Sequence, residues 1–375
     1  MNLLIIYACI FIIIFAILGI KSKFRGAGYL KSVIITFLII FIGIIVGIIP
    51  THIGKSGEKA FYSYNIYKTI SVYGSGKASL ENIDKDVKKI VIHSGIDEIK
   101  SCNFKNLESV KLADSVVSIG DYTFDGCTNL KDIQLSKNLK YIGFDAFYNC
   151  RSINDIELPE SVEKIYAGAF SFTNISKINI PDNAIINVYD NTYSHARAYE
   201  QNTYTFYGCS NLKEVNITEN NKNYINVNGI IYNYDKTIIE CYPAGKTDKE
   251  YVIPNTITNV EQFYTFAYCN NLRKITISNI ELINRYFIYE CKNIEEIVIE
   301  DGVKEILTGA VQKCPNLSKV YITGSTNISD YDSDKDDLLF IKDRDPKEIT
   351  IYCKENSNAQ KYAQNHNYKY VTIDE

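Results

Sequence analysis

The chain has 375 residues, 46% of them hydrophobic, with a formal net charge of −4 and no tryptophan. That length can hold two or three domains. The weakly acidic balance, with no basic block in the repeated part, argues against nucleic acid as a partner.

The first apolar run, 3–20, carries no charge, and neither does the second, 33–49. At 1.5 Å per residue each reaches ~25–27 Å as a helix, close to the ~30 Å hydrocarbon core of a bilayer. Lys21, Lys23, Arg25 and Lys31 lie between them. Basic loops stay in the cytoplasm, so the pattern predicts two transmembrane helices joined by a cytoplasmic loop, 21–32. The chain is then held in the cell membrane by residues 1–50, with everything after Pro50 on the extracytoplasmic face. A cleaved leader would place its basic residues before the apolar run rather than after it. A lipoprotein box is matched only loosely by Ile6-Tyr7-Ala8-Cys9, which begins too near the start. The reversed orientation stays open, because both runs are short for a full span.

Residues 51–86, rich in Gly, Ser and aromatics, read as a linker followed by an N-terminal cap. From residue 87 a fixed pattern takes over. In Leu130-Lys-Asp-Ile133-Gln-Leu135, apolar and polar residues alternate, as in a strand with one face buried. The same pattern stands at Leu107/Val110/Leu112, Ile153/Ile156/Leu158, Ile175/Ile178/Ile180 and Leu212/Val215/Ile217. It returns at Leu272/Ile275/Ile277, Ile294/Ile297/Ile299 and Leu317/Val320/Ile322, with weaker copies at Val87/Ile90/Ile92, Tyr251/Ile253 and Ile349/Ile351. Leu107 to Leu130, Leu130 to Ile153 and Ile294 to Leu317 are each 23 residues apart, and Ile153 to Ile175 and Leu272 to Ile294 are 22. Such a period means a solenoid of stacked coils. A second apolar set, such as Leu139/Ile142/Phe147/Cys150, lines the other side of each coil.

Stacking is obligatory on energetic grounds. One coil buries a handful of apolar side chains, each worth ~1.5–3 kcal/mol. Ordering its backbone costs on the order of 1–2 kcal/mol per residue over roughly 23 residues. A lone coil loses, so each must bury both flat faces against neighbours. The expectation is a parallel sheet of about 11 strands over 87–345. Segments 182–206, 224–245 and 324–345 break the period as inserts, and 346–375 form a C-terminal cap.

Six of the ten cysteines, Cys127, Cys150, Cys209, Cys269, Cys291 and Cys314, share one column three residues before the strand motif. A column of that kind reads as small apolar residues packed coil on coil, not as disulfides or a metal site. Phe172 stands where the column's Cys falls in one coil, and Cys102, Cys241 and Cys353 lie off the column.

The stretch Leu139-Lys-Tyr-Ile-Gly-Phe-Asp-Ala-Phe-Tyr-Asn-Cys150-Arg-Ser-Ile-Asn-Asp-Ile-Glu-Leu-Pro159 resembles the BspA-type (treponemal-type) leucine-rich repeat family. So do the hairpin-like segment Tyr224 to Gly245 and the ending Asn356 to Tyr370, read as a short helix and strand. The resemblance covers about 87–375. It implies a right-handed leucine-rich repeat coil and a cell-surface or secreted protein, often linked to adhesion, without enzyme activity.

The residues themselves offer no catalytic constellation. His52, His93, His195 and His366 pair by spacing with no Cys, Asp or Ser. The acidic run Asp330 to Asp337 places Lys335 and Ile341 where a calcium loop needs Gly and Glu, so it reads as a solvated insert. No cofactor or metal is implied. The candidate binding residues are those projecting from the outer face of the sheet. They are Lys111, Gln134, Glu157 and Asn179 in the first half, and Asn216, Thr276, Val298 and Tyr321 in the second. The insert tyrosines Tyr189, Tyr193, Tyr199, Tyr204 and Tyr207 are the other candidates, since aromatic residues on loops suit recognition. The expected function is non-catalytic adhesion through a protein or glycan on another cell or in the extracellular matrix. A structural spacer with no specific ligand is the alternative.

Overall fold

Alternation of Val, Ile and Leu with polar residues places one strand of each coil edge to edge with the next. A computed structural model describes residues 51–52, 60–81, 83, 86–188, 204–258, 260, 263–329 and 345–374. The expected membrane helices 3–20 and 33–49, with the loop between them, lie outside these residues. Among the described residues no helix is long and apolar enough to cross a membrane.

The parallel ladder comes in three runs rather than in the single long sheet expected. In the first, Thr69–Tyr73, Lys89–Ile92, Ser109–Lys111 and Asp132–Gln134 follow one another in parallel. The second pairs Lys177–Ile180 with Glu214–Ile217. The third runs from Glu250–Val252 through Lys274–Ile277, Glu296–Ile299, Lys319–Ile322 and Thr350–Cys353 to Lys369–Thr372.

Two breaks separate the runs. Residues 155–158 make no ladder with either neighbouring strand. Asp155 falls one period on from Asp132 and one period before Lys177. At the second break an antiparallel hairpin replaces a coil: Tyr224–Val227 pairs with Ile230–Asn233, which pairs in turn with Ile239–Cys241. Its two-residue turn is Asn228-Gly229, both at positive φ. That turn suits the right-handed twist of a hairpin.

The other sides of the coil carry shorter strands and turns. Ile96–Lys100, Ser118–Ile119, Tyr141–Ile142 and Lys164–Tyr166 form a second parallel column. Inside lies a stack of phenylalanines. Ring centroids are 5.1 Å apart between Phe124 and Phe147, 5.4 Å between Phe147 and Phe170, and 6.0 Å between Phe170 and Phe206. Beside them run the column thiols, all buried. The Sγ of Cys150 donates to the carbonyl of Phe124 at 3.1 Å, that of Cys209 to Phe170 at 3.0 Å, and that of Cys291 to Phe266 at 3.1 Å. These three thiols each bond a backbone acceptor of the coil before, whereas those of Cys269 and Cys314 bond the Ala267 and Gln312 carbonyls of their own coil. The column also corrects the placement of Phe172. Thr173 takes the Cys position, its N–H on the carbonyl of Phe170 and its hydroxyl 3.3 Å from the Cys209 sulfur. The shortened coil drops a residue after this position, not before it.

The ends of the stack are covered differently. Phe61–Tyr64 folds back antiparallel on Thr69–Tyr73. At the other end the helix Asn358–Asn365 buries Ala359, Tyr362 and Ala363 against the last coils. Ser357 caps it by accepting the Gln360 N–H at 3.2 Å. The buried side chains form two clusters, which meet at the hairpin.

Candidate binding surface

Strand register sets which side chains share the outer face of the sheet. In the first run, Lys89, Ser109 and Asp132 are aligned in one column, and Val91, Lys111 and Gln134 in the next. Asp155 and Glu157 continue the two columns one coil on, and all of these but Val91 line, together with Lys131, an open groove of 490 Å³. Its floor includes Ile133, half-buried where its counterparts Val110 and Ile178 are buried. The broken ladder leaves it uncovered. Asn179 and Asn216 are paired in the second run, amide to carbonyl at 3.1 Å.

The third run has a different surface. Val252, Thr276, Val298, Tyr321, Tyr352 and Val371 form one register column. The rings of Tyr321 and Tyr352 stack at 4.4 Å, and Val252 and Val371 are 62% and 45% exposed. The charges beside this stripe neutralise each other: Lys274 pairs with Glu296 at 2.6 Å.

Not every expected side chain is available to a ligand. Thr276 is only 8% exposed, because the larger Val252 and Val298 flank it. Tyr204 is a core residue, 6% exposed, with its hydroxyl 3.0 Å from that of Thr265. Tyr207 is half-buried, and burial among other tyrosines pushes its hydroxyl well above the usual tyrosine range. Tyr189, Tyr193 and Tyr199 lie outside the described residues.

The structure adds a feature that the sequence reading missed, a ridge of half-buried aromatic rings at the coil corners. Phe172 meets Tyr148, Tyr207 and Tyr268 edge to face at 5.2–5.6 Å. Tyr207 lies 4.9 Å from Tyr264, which stacks on Tyr286 at 5.2 Å. Lys313 sits 4.8 Å over the ring of Tyr289 and pairs with Glu290 at 3.1 Å. Phe172 (φ 57°), Tyr264 (66°), Tyr268 (60°) and Tyr286 (58°) all have left-handed backbone, a costly conformation for bulky residues. The residue just before the Cys column is left-handed in each of seven coils, as Gly126, Asn149, Phe172, Gly208, Tyr268, Glu290 and Lys313. Gly126, Asn149 and Gly208 at that position were the available signal. It would also have placed Thr173 correctly.

Chemistry elsewhere is sparse. Among the described residues no group of three or more His, Cys, Asp or Glu side chains is placed to hold a metal ion. His93 stacks on Tyr73 at 4.2 Å, and burial holds its pKa below the usual histidine value.

Comparison with known proteins agrees with this geometry. The family profile described as BspA type Leucine rich repeat region matches in six copies, over residues 76–200, 195–229 and 240–338. Among solved structures, a leucine-rich repeat protein from Eubacterium ventriosum is similar at 26% identity and a TM-score of 0.61, covering 80% of this chain and 77% of that one. The pneumococcal vaccine antigen PcpA is similar in fold at 17% identity and a TM-score of 0.58, covering 87% of this chain and 100% of that one. No curated protein matches the sequence.

Proposed function

The chain belongs to the BspA type leucine-rich repeat family, and from that premise we propose that it is a surface-displayed, non-catalytic binding protein, acting in adhesion to a protein or glycan. The repeats present their outer sheet face outside the cell, and the apolar segments at 3–20 and 33–49 hold them at the membrane. The observation that carries this reading is the outer face of the sheet, which among the described residues presents exposed side chains in its first and third runs and is chemically unlike in the two. The first run offers charged residues around an open groove, and the third an aliphatic and aromatic stripe. Such a face makes many weak contacts over a long span, which suits a large partner better than a small substrate.

Particles coated with the full-length chain should adhere saturably to a panel of cell and matrix surfaces, and free chain should compete. A panel that yields no saturable, competable adherence overturns the proposal and leaves the spacer reading.

A further inference from the structure

Resting on that reading, we propose that the groove on the first four coils docks an extended peptide segment of the partner, one whose acidic and basic residues lie apart. The argument starts from the two outer columns. Lys89, Ser109 and Asp132 are in register, and Asp155 follows. Lys111 and Gln134 are in register, and Glu157 follows. Both columns therefore pass from cation to anion along the stack, through an uncharged or mixed middle.

The separation sets the ligand. At ~4.8 Å between neighbouring strands, Lys89 and Asp155 stand three coils, ~14 Å, apart, and Lys111 and Glu157 two coils, ~10 Å, apart. An extended peptide rises ~3.3 Å per residue, so about two or three residues lie between its acidic and its basic ends.

The charges are available. Among the described residues, none of Lys89, Lys111, Asp132, Asp155 or Glu157 takes part in an ion pair. This contrasts with the third run, where Lys274 is neutralised by Glu296. Asp132 and Asp155 both line the groove at the break in the ladder, so a cation from outside meets two carboxylates there. Half-buried Ile133 gives the uncharged middle of the peptide an apolar contact. A neutral oligosaccharide leaves both charged ends unanswered. A uniformly acidic ligand can pair with Lys89, Lys111 and Lys131 but leaves the three carboxylates without a partner.

The test uses the full-length chain, kept in detergent, and synthetic peptides of about seven residues. The probe peptide carries two acidic residues, then about three neutral ones and two basic ones, and is compared with scrambled, all-acidic and neutral versions. The charge-separated peptide is expected to bind roughly tenfold tighter than its scramble, as several weak exposed ion pairs acting together would give. The preference should fade between about 50 mM and about 500 mM salt, as Debye screening tightens. Reversing one end with Lys89→Glu and Lys111→Glu should abolish the preference. Adding Asp155→Lys and Glu157→Lys should restore it, because the peptide then lies the other way round. All four residues are exposed, and circular dichroism checks that each variant is folded. Equal binding of the scramble, or failure of the second reversal to rescue a folded protein, overturns the proposal. Saturable adherence that none of these substitutions changes, or that neutral oligosaccharides alone compete, overturns the groove while leaving the binding reading intact. Loss of all saturable adherence by the unmodified chain overturns that reading instead.

Discussion

The thiol of Cys150 and the carbonyl of Phe124, 26 residues earlier, form a hydrogen bond of 3.1 Å between adjacent coils. The same carbonyl accepts the Cys127 N–H at 3.0 Å, so it ties the corner of its own coil and the next coil together. The thiols of Cys127, Cys209 and Cys291 likewise bond a carbonyl of the preceding coil. Cys150→Ala should cost about 1–2 kcal/mol through a small cavity and a weakened acceptor, read by urea denaturation. If the thiol merely filled space, Cys150→Val would restore stability. The bond to Phe124 predicts that it will not.

The nine described cysteines are free and buried. Burial pushes the Cys127 thiol up to about 12 and that of Cys209 up to about 11. The reactive thiolate is therefore scarce at pH 8. Iodoacetamide should leave these thiols unmodified in the folded protein and alkylate them after unfolding in urea. Mass spectrometry counts the labels, and rapid labelling of native Cys127 or Cys209 would contradict the buried column.

Phe147 stacks between Phe124 and Phe170, with ring planes 19° and 3° from theirs. Phe147→Ala should cost about 3–5 kcal/mol, since neighbouring coils cannot close over a phenyl-sized gap without losing their own register. A loss under 1 kcal/mol would mean that the coils repack freely.

Glu98 bonds both Lys77, at 2.7 Å, and Lys100, at 2.9 Å. Burial alone would raise its pKa, but the two lysines outweigh it and hold the carboxyl below the usual glutamate range. A carboxylate depressed in the folded state stabilises above its unfolded pKa, and that contribution is lost as pH falls through the folded value. Glu98→Gln should therefore flatten the stability profile on the acid side of pH 4.5. At pH 7 it should cost no more than about 1 kcal/mol, because both lysines are largely exposed. An unchanged acid limb would show that the pair contributes nothing.

The sequence carried the coil period and the identity of the inward aliphatics because both are local patterns. Ile90, Val110, Ile178, Ile275 and Ile297 all point inward in the structure, and all are readable from their spacing. What escaped depended on neighbours a coil away. The segment Ile153 to Leu158 alternates as the other strands do, yet 155–158 joins no ladder. Thr276 reads as an outward polar residue, yet the valines on either side cover it. Tyr204 has an apolar ring and a polar tip, so composition alone cannot separate a recognition loop from a core position with a satisfied hydroxyl. Phe172 was misplaced because a one-residue deletion was assigned to the wrong side of the Cys position. Its left-handed backbone is what identifies the corner.

The hairpin Tyr224–Asn233 leaves the strands Glu214–Ile217 and Glu250–Val252 unpaired with each other. Elsewhere a load drawn along the stack is shared among rows of backbone bonds acting in parallel. At this joint it passes through isolated links, the Gly245 N–H on the Leu212 carbonyl at 2.7 Å and side-chain contacts such as Tyr204 with Thr265 and Phe172 with Tyr268. The molecule is mechanically two stiff rods in series with a softer coupling. Under tension it yields there first, and the charged groove and the aromatic stripe part as intact units.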